Sequence, residues 1–481
     1  MNKKLVFSVV GRLMEFMALA LMLPMAVSLI YREKVFIYFI ITAVISFSSG
    51  LILCFLTRNH SSMMYAKEGF IIVTLAWVFA SVIGAIPFFI SGEIPNFADA
   101  LFETVSGFTT TGASILTDVE RLSHGMLFWR SFTHWIGGMG VLVFILAFIS
   151  GISDRSIHIL RAEMPGPIVG KLMPRAKDTS KILYIMYIVI TLVQIALLLA
   201  GGMPLFDSVI HAFGTAGTGG FGIKADSIAG YSPYLQWVIG AFMLIFGINF
   251  NLYYLATIKR FRSILKSTEL WVYIGIVAVS VLLITTNLYG TYGSFSDTLR
   301  NAFFQVSSII TTTGYATADF NLWPSFSKAV LILLMITGAC AGSTAGGLKI
   351  SRIVIIFRMI GREFRRMIHP RSVYAVRFEG KDVDEQVQRS VTTYFAIYII
   401  CIFAVFLMLS FEPFDFETNF TASIACFNNV GPGLAMVGPM GSYAGYSTIS
   451  KLILSLAMLL GRLEIFPILI AMFPSSWTNR R

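Results

Sequence analysis

Ten apolar runs dominate the chain, near residues 5–30, 35–57, 69–91, 125–150, 182–203, 233–258, 270–289, 325–360, 391–411 and 448–475. A helix needs about 20 such residues to cross the hydrocarbon core of a bilayer. Backbone amides in lipid must be satisfied within their own segment, so runs of this length become helices rather than loops or open sheet. The reading is an all-α polytopic membrane protein. Composition agrees: 13% of the 481 residues are charged, against about 25% in soluble domains. Cys54, Cys340, Cys401 and Cys426 sit in apolar segments without metal-ligand spacing and read as small core residues. The basic "MNKKLVF" start lacks a small-residue cleavage site and reads as a retained first helix.

Charge orients the runs. Six Lys/Arg lie in 152–181, four in 259–266 and ten in 349–389, whereas the opposite connections carry acids such as Glu93, Asp99, Asp118, Asp207, Asp319 and Asp415. The positive-inside rule makes the basic connections and both termini cytoplasmic. The net charge of +11 then belongs to the inner face. It suits lipid headgroups or a cytosolic partner, not nucleic acid.

Between the long runs lie four half-polar segments too short to span, 97–111, 206–218, 297–313 and 416–430. Each leads to a glycine: "DALFETVSGFTTTG" to Gly112, "DSVIHAFGTAGTGG" to Gly220, "NAFFQVSSIITTTG" to Gly314 and "TNFTASIACFNNVG" to Gly431. Each has a polar residue thirteen positions earlier (Asp99, Asp207, Asn301, Thr418), expected to cap a half-helix of fixed length. Gly220 is preferred to Gly217 because it keeps that offset. The unit of helix, half-helix, glycine-terminated strand and helix thus occurs four times after a two-helix leader. The expected boundaries are 1–60 for the leader, then 61–155, 176–266, 267–370 and 385–481 for the repeats.

Four such units around one axis enclose a pore. Carbonyls just before each glycine can replace the water shell of a cation, glycine leaves the path clear and tolerates positive φ, and half-helix C-termini favour positive charge. The residues expected to line this filter and bind the ion are Thr110, Thr111 and Gly112; Thr218, Gly219 and Gly220; Thr312, Thr313 and Gly314; and Asn429, Val430 and Gly431. The run 325–360 is longer than a span needs, and its centre, "GACAGSTAGG" from Gly338 to Gly347, is a poor helix. It is expected to break into an intramembrane loop under the filter, with Gly338, Gly342, Ser343, Thr344, Gly346 and Gly347 as gate residues. Arg462, in "LAMLLGRLEIFPIL", falls near mid-membrane, where a charge is expensive and faces a cavity or a partner. It is expected to face the pore as an obstructing cation rather than to pair with Glu464, two residues on along the helix. Asn249, Asn251 and the cluster Gly137–Gly140 are weaker candidates for cavity lining or close packing.

The motifs "TTTGAS", "TGGFG", "TTTGYA" and "NNVGPG" in combination resemble the Trk/Ktr/HKT superfamily of potassium transporters, and within it the bacterial TrkH/TrkG membrane subunits, over essentially the whole chain. The resemblance implies that Gly112, Gly220, Gly314 and Gly431 are filter glycines, that K⁺ is the transported ion, and that 338–347 and Arg462 form the gate. In plant relatives a serine at the first filter position accompanies sodium transport, so Gly112 favours potassium. The resemblance also implies a homodimer in the bacterial inner membrane with one pore per chain and a cytosolic nucleotide-binding regulatory subunit of TrkA type. This chain carries no nucleotide fingerprint, so the nucleotide is expected on the partner. An H⁺- or Na⁺-coupled symporter, or a less selective K⁺/Na⁺ pathway, is the alternative. An enzyme is not expected: no HExxH occurs, and no histidine is placed to serve Ser343 as a base.

Overall fold

The structure, a computed structural model, describes residues 1–58, 65–140, 176–371 and 373–477. The basic stretch 152–175 and the "NRR" end lie outside the described residues. The leader is a hairpin of Lys3–Ala20, continuing as Met22–Ile30, against Phe36–Leu56. Its helices cross at Gly11 and Gly50, where a Cβ on either would meet the other's carbonyl oxygen at 2.9 and 2.7 Å. Small residues let backbones approach in this way without a hydrophobic driving force between helices. Phe36–Leu56 leaves Ile40, Ile41, Val44, Ile45 and Phe47 exposed on its outer side, a surface suited to lipid.

Four units follow. Each has an outer helix (Ala66–Ser91, Ala176–Ala200, Thr268–Asn287, Glu385–Leu409), a pore helix (Phe97–Phe108, Leu205–Gly217, Phe295–Ile310, Phe416–Phe427) and an inner helix (His124–Gly138, Pro233–Phe246, Ser325–Thr337, Thr448–Arg462). The residues thirteen positions before each glycine are not the caps, and the pore helices are not of one length, with 12, 13, 16 and 12 residues. The pore helices start from Asn96, Pro204, Ser294 and Asp415, with Asn96 accepting from the Ala98 amide at 2.8 Å and Ser294 from that of Asp297 at 3.0 Å. Asp99 and Asp207 sit in first turns, where the positive end of the helix favours an acid, whereas Asn301 lies well inside its helix. The C-terminal end is what stays constant. Phe108, Ile310 and Phe427 close their helices four residues before the glycine, and Gly217 closes its helix three before.

The inner helices depart from expectation. Among the described residues six helices are long and apolar enough to cross a membrane, seven if one bent pair counts as a span; ten spans were expected, of which 125–150 extends beyond the described residues. Each inner helix has 13 to 15 residues, or about 20–23 Å at 1.5 Å per residue, which is short of a bilayer. The second turns by 90° after Phe246 into Phe250–Thr257. The third unwinds from Gly338 to Lys349 before resuming as Ile350–Ile368. The fourth breaks at Glu464 and Ile465, both with positive φ, and restarts as Phe466–Met472 with Pro467 in its first turn. Only the third break was expected. Beyond the basic helix Ile350–Ile368, a two-strand hairpin pairs Arg377 with Asp382 and Phe378 with Lys381.

Candidate functional site

The strands that follow the pore helices share one backbone conformation. Thr110, Thr218, Thr312 and Asn429 have φ of 54°, 57°, 57° and 57°, and the glycines two residues later, Gly112, Gly220, Gly314 and Gly431, have 78°, 76°, 83° and 94°. A left-handed threonine costs about 1–2 kcal/mol, so four side chains with a Cβ adopt it only because their surroundings hold them there. Side-chain hydrogen bonds do part of this. Thr110 and Thr218 donate to the preceding carbonyls at 2.7 and 2.5 Å, Thr312 accepts the Gly346 amide at 2.7 Å, and Asn429 donates to the Thr111 hydroxyl at 3.0 Å and the Met458 carbonyl at 2.9 Å.

The four strands close on each other. A Cβ on Gly112 would collide with the carbonyl oxygen of Gly219, one on Gly220 with that of Thr313, one on Gly314 with that of Val430, and one on Gly431 with that of Thr111, each well inside 3.0 Å. Every glycine therefore packs against the residue before the next repeat's glycine, in the cyclic order one, two, three, four. The ring exists only with hydrogen at all four Cα positions. Gly217, the competing choice in repeat two, is instead the last residue of its pore helix and lies against the His134 carbonyl.

Buried polar groups brace the ring from behind. Thr109 and Thr111 share a hydroxyl hydrogen bond of 2.8 Å, and Thr311 and Thr313 repeat it at 2.8 Å. Glu103 on the first pore helix pairs with Arg130 at 2.6 Å, both fully buried, and also accepts from the Ser114 hydroxyl at 2.9 Å and the Ile115 amide at 3.0 Å. Arg130 donates onward to the Gly222 carbonyl at 3.0 Å. One buried pair thus fixes the chain just past Gly112 and just past Gly220. His134 lies at 2.7 Å from the Gly107 carbonyl through Nδ1, and its Nε2 accepts the Phe221 amide at 3.3 Å. That pair of bonds requires the neutral Nδ1–H tautomer. Tyr443 donates to the Gly431 carbonyl at 2.7 Å.

Two spaces flank the ring. On the side of the acidic connections a polar cavity of about 150 Å³ is lined by all four ring glycines with Ser114, Lys224 and Tyr443. On the other side a cavity of only about 40 Å³ lies among Gly138, Gly342, Ser343, Gly346, Gly347 and Arg462, room for very few waters. The segment 338–349 fills this region. Gly346 presses on the Asn428 carbonyl while its amide reaches Thr312. The Cys340 amide donates to the Gly247 carbonyl at 3.1 Å, and the Phe250 amide to that of Gly342 at 3.0 Å, so the 90° bend of repeat two and the break of repeat three satisfy each other's backbone. Arg462 donates to the carbonyls of Thr344 at 2.7 Å and of Gly137 and Gly138 at 2.6 Å each. Among the described residues no three His, Cys, Asp or Glu side chains gather into a metal site.

The sequence profile of a cation transport protein family, TrkH, matches residues 35–480. The chain is 35% identical to the Trk system potassium uptake protein TrkH of Salmonella typhimurium, over 99% of this chain and 100% of that one. It is 36% identical to the Trk system potassium uptake protein TrkG of Escherichia coli, over 98% and 97%. The crystal structure of the potassium transporter TrkH from Vibrio parahaemolyticus superposes with a TM-score of 0.90 at 31% identity, over 99% of this chain and 100% of that one. The chain belongs to the TrkH family.

In this TrkH-family chain the residues singled out in the sequence come together as two sets. The twelve residues from Thr110 to Gly112, Thr218 to Gly220, Thr312 to Gly314 and Asn429 to Gly431 form the ring strands. Gly338, Gly342, Ser343, Thr344, Gly346, Gly347 and Arg462 meet beneath them, with Gly338 packed against Gly346 and Gly347 at the neck of the loop. Arg462 is expected from the sequence as a pore-facing cation that obstructs flow. Its guanidinium is also a cross-brace between the third and first repeats. Glu464 pairs with Arg352 across the repeats, not with Arg462. Glu103 and Arg130 had no part in the sequence reading, and His134 entered it only as a histidine not placed to serve Ser343 as a base. Their signal was an ionisable residue within an apolar or half-polar segment, which by itself marks function by default.

Proposed function

We propose that this chain is the pore-forming subunit of a K⁺ uptake system of the bacterial inner membrane, with its termini in the cytoplasm. The observation that carries this reading is the closed ring in which each of four glycines abuts the next repeat's carbonyl. A cation entering from the acidic side sheds water at the 150 Å³ cavity and exchanges it for the carbonyl oxygens of Thr111, Gly219, Thr313 and Val430 and their neighbours. The C-terminal ends of the pore helices just behind these strands add negative potential. The braces around Glu103, Arg130 and His134 keep the oxygens from collapsing onto a smaller ion. The loop 338–349 and Arg462 obstruct the cytoplasmic exit at rest. A cytosolic nucleotide-binding subunit that moves the basic helix Ile350–Ile368 would draw the loop aside, since the helix is continuous with it. A homodimer with one pore per chain completes the proposed assembly.

The test is growth of a bacterium lacking its own K⁺ uptake systems on limiting K⁺. Expression of the chain with its regulatory partner is expected to restore growth, and expression alone to restore it weakly. Failure of both, with the protein present in the membrane, would overturn the assignment.

A further inference from the structure

The loop has a second anchor besides Arg462. Glu269 lies in the first turn of the outer helix Thr268–Asn287 and is 5% exposed. One of its oxygens, Oε1, accepts the amide of Ala341 at 2.7 Å and the amide of Ser351 at 3.2 Å. Ala341 lies three residues into the loop and Ser351 two residues past it, so a single carboxylate joins the entry to the exit. Amides at this depth have no water to turn to, which makes an acceptor from another element necessary. Ser351 is also the second residue of the basic helix, whose capping residue Lys349 has φ of 76° and offers no side-chain acceptor. Glu269 therefore caps that helix from the outer helix of the same repeat, with the charge sign that the helix start favours.

The groups around Glu269 connect it to the cytosolic side. Asn249, at the bend of the second inner helix, lies near the Glu269 carboxylate and faces Gly342. Lys349 contributes a nearby positive charge, though its ammonium is turned onto the Ala345 carbonyl. Glu379, in the turn of the hairpin, accepts the Glu269 amide at 3.0 Å and the Ser267 hydroxyl at 3.1 Å. A path of hydrogen bonds thus runs from the hairpin beyond the basic helix, through Glu379 and Glu269, to both ends of the loop.

We propose that Glu269 is a positioning residue that clasps the two ends of loop 338–349 together and holds it under the ring. The inference rests on the reading of that loop as a gate only for its effect on ion flux. Cys340, buried in the loop, reports the clasp directly. In the full-length protein in detergent or liposomes, a small thiol reagent followed by peptide mass spectrometry reads the reaction rate at Cys340. Glu269→Ala is expected to raise that rate by about tenfold, as loss of charge-assisted hydrogen bonds to two amides implies. Glu269→Gln, which keeps an oxygen acceptor, should restore most of the protection, whereas Glu269→Met, of similar size but without that acceptor, should not, a contrast that a mere packing role would not give. Glu269→Asp, one methylene shorter, should fall between and serves if the alanine variant does not fold. Rb⁺ uptake into liposomes without any partner should rise in the same order. Faster Cys340 labelling with unaltered flux would leave the clasp standing and remove the loop as gate. Unaltered labelling in both the alanine and aspartate variants would overturn the clasp, whatever shortening the loop does to flux.

Discussion

Replacing Gly112 with serine is expected to lower the preference for K⁺ over Na⁺ by about tenfold, the equivalent of about 1.4 kcal/mol. The argument is steric before it is chemical. Gly112 has φ of 78°, and any Cβ there overlaps the carbonyl oxygen of Gly219. A left-handed residue with a Cβ carries a further cost of about 1–2 kcal/mol. The strain is relieved by moving the Gly219 strand outward, which pulls one carbonyl out of a ring of four. A ring with one oxygen displaced discriminates less between ions that differ in size. The loss should be graded by repeat: Gly220, pressed on Thr313, has no more room than Gly112, whereas Gly314 and Gly431 have slightly more and should lose somewhat less. Relative Rb⁺ and Na⁺ flux in liposomes measures it, with size-exclusion profiles showing that the variant is folded. Unchanged selectivity in a folded Gly112→Ser protein would remove Gly112 from the filter.

Arg462→Ala is expected to raise partner-independent Rb⁺ flux by about tenfold or more. The guanidinium donates to Thr344 in the loop and to Gly137 and Gly138 at the end of the first inner helix. A hydrogen bond to a charged group contributes about 1.5–3 kcal/mol, so losing this set shifts the loop between closed and displaced positions by at least tenfold. Removal of the positive charge also lowers the barrier to a cation leaving the ring. Both effects act in the same direction. Deleting several residues between Gly338 and Gly347 should give a similar rise, because the obstruction itself is gone. A folded Arg462→Ala protein with lower flux would identify the side chain as a strut alone.

What the sequence disclosed about this molecule is what recurs in it. The four glycines are legible because a ring of four equal strands imposes the same offset four times, and no other pattern explains TTTG twice and GTGG and NNVG at matching places. The loop is legible because four glycines within 338–347 cannot sustain a helix. The breaks in the second and fourth inner helices were hidden. "GINFN" contains one glycine, and Glu464 and Ile465 carry no mark of left-handed backbone; Pro467, at the start of the helix that follows, was the available clue. The braces were hidden for another reason. Glu103 and Arg130 are 27 residues apart, and Glu269 is 72 and 82 residues from the amides it accepts. Pairings of that kind have no local period, and only the packing of distant elements creates them. The misread caps show the limit of alignment by offset, which locates a position in a repeat without saying what the residue there does.

The central claim is that the ion sits within the ring of Thr111, Gly219, Thr313 and Val430 carbonyls. Anomalous diffraction from crystals of the protein grown in Rb⁺ tests this most directly. The account predicts a Rb⁺ peak on the ring axis, between the polar outer cavity and Gly346, which disappears when Na⁺ replaces Rb⁺. A Rb⁺ peak elsewhere in the chain with none on the ring axis would contradict it.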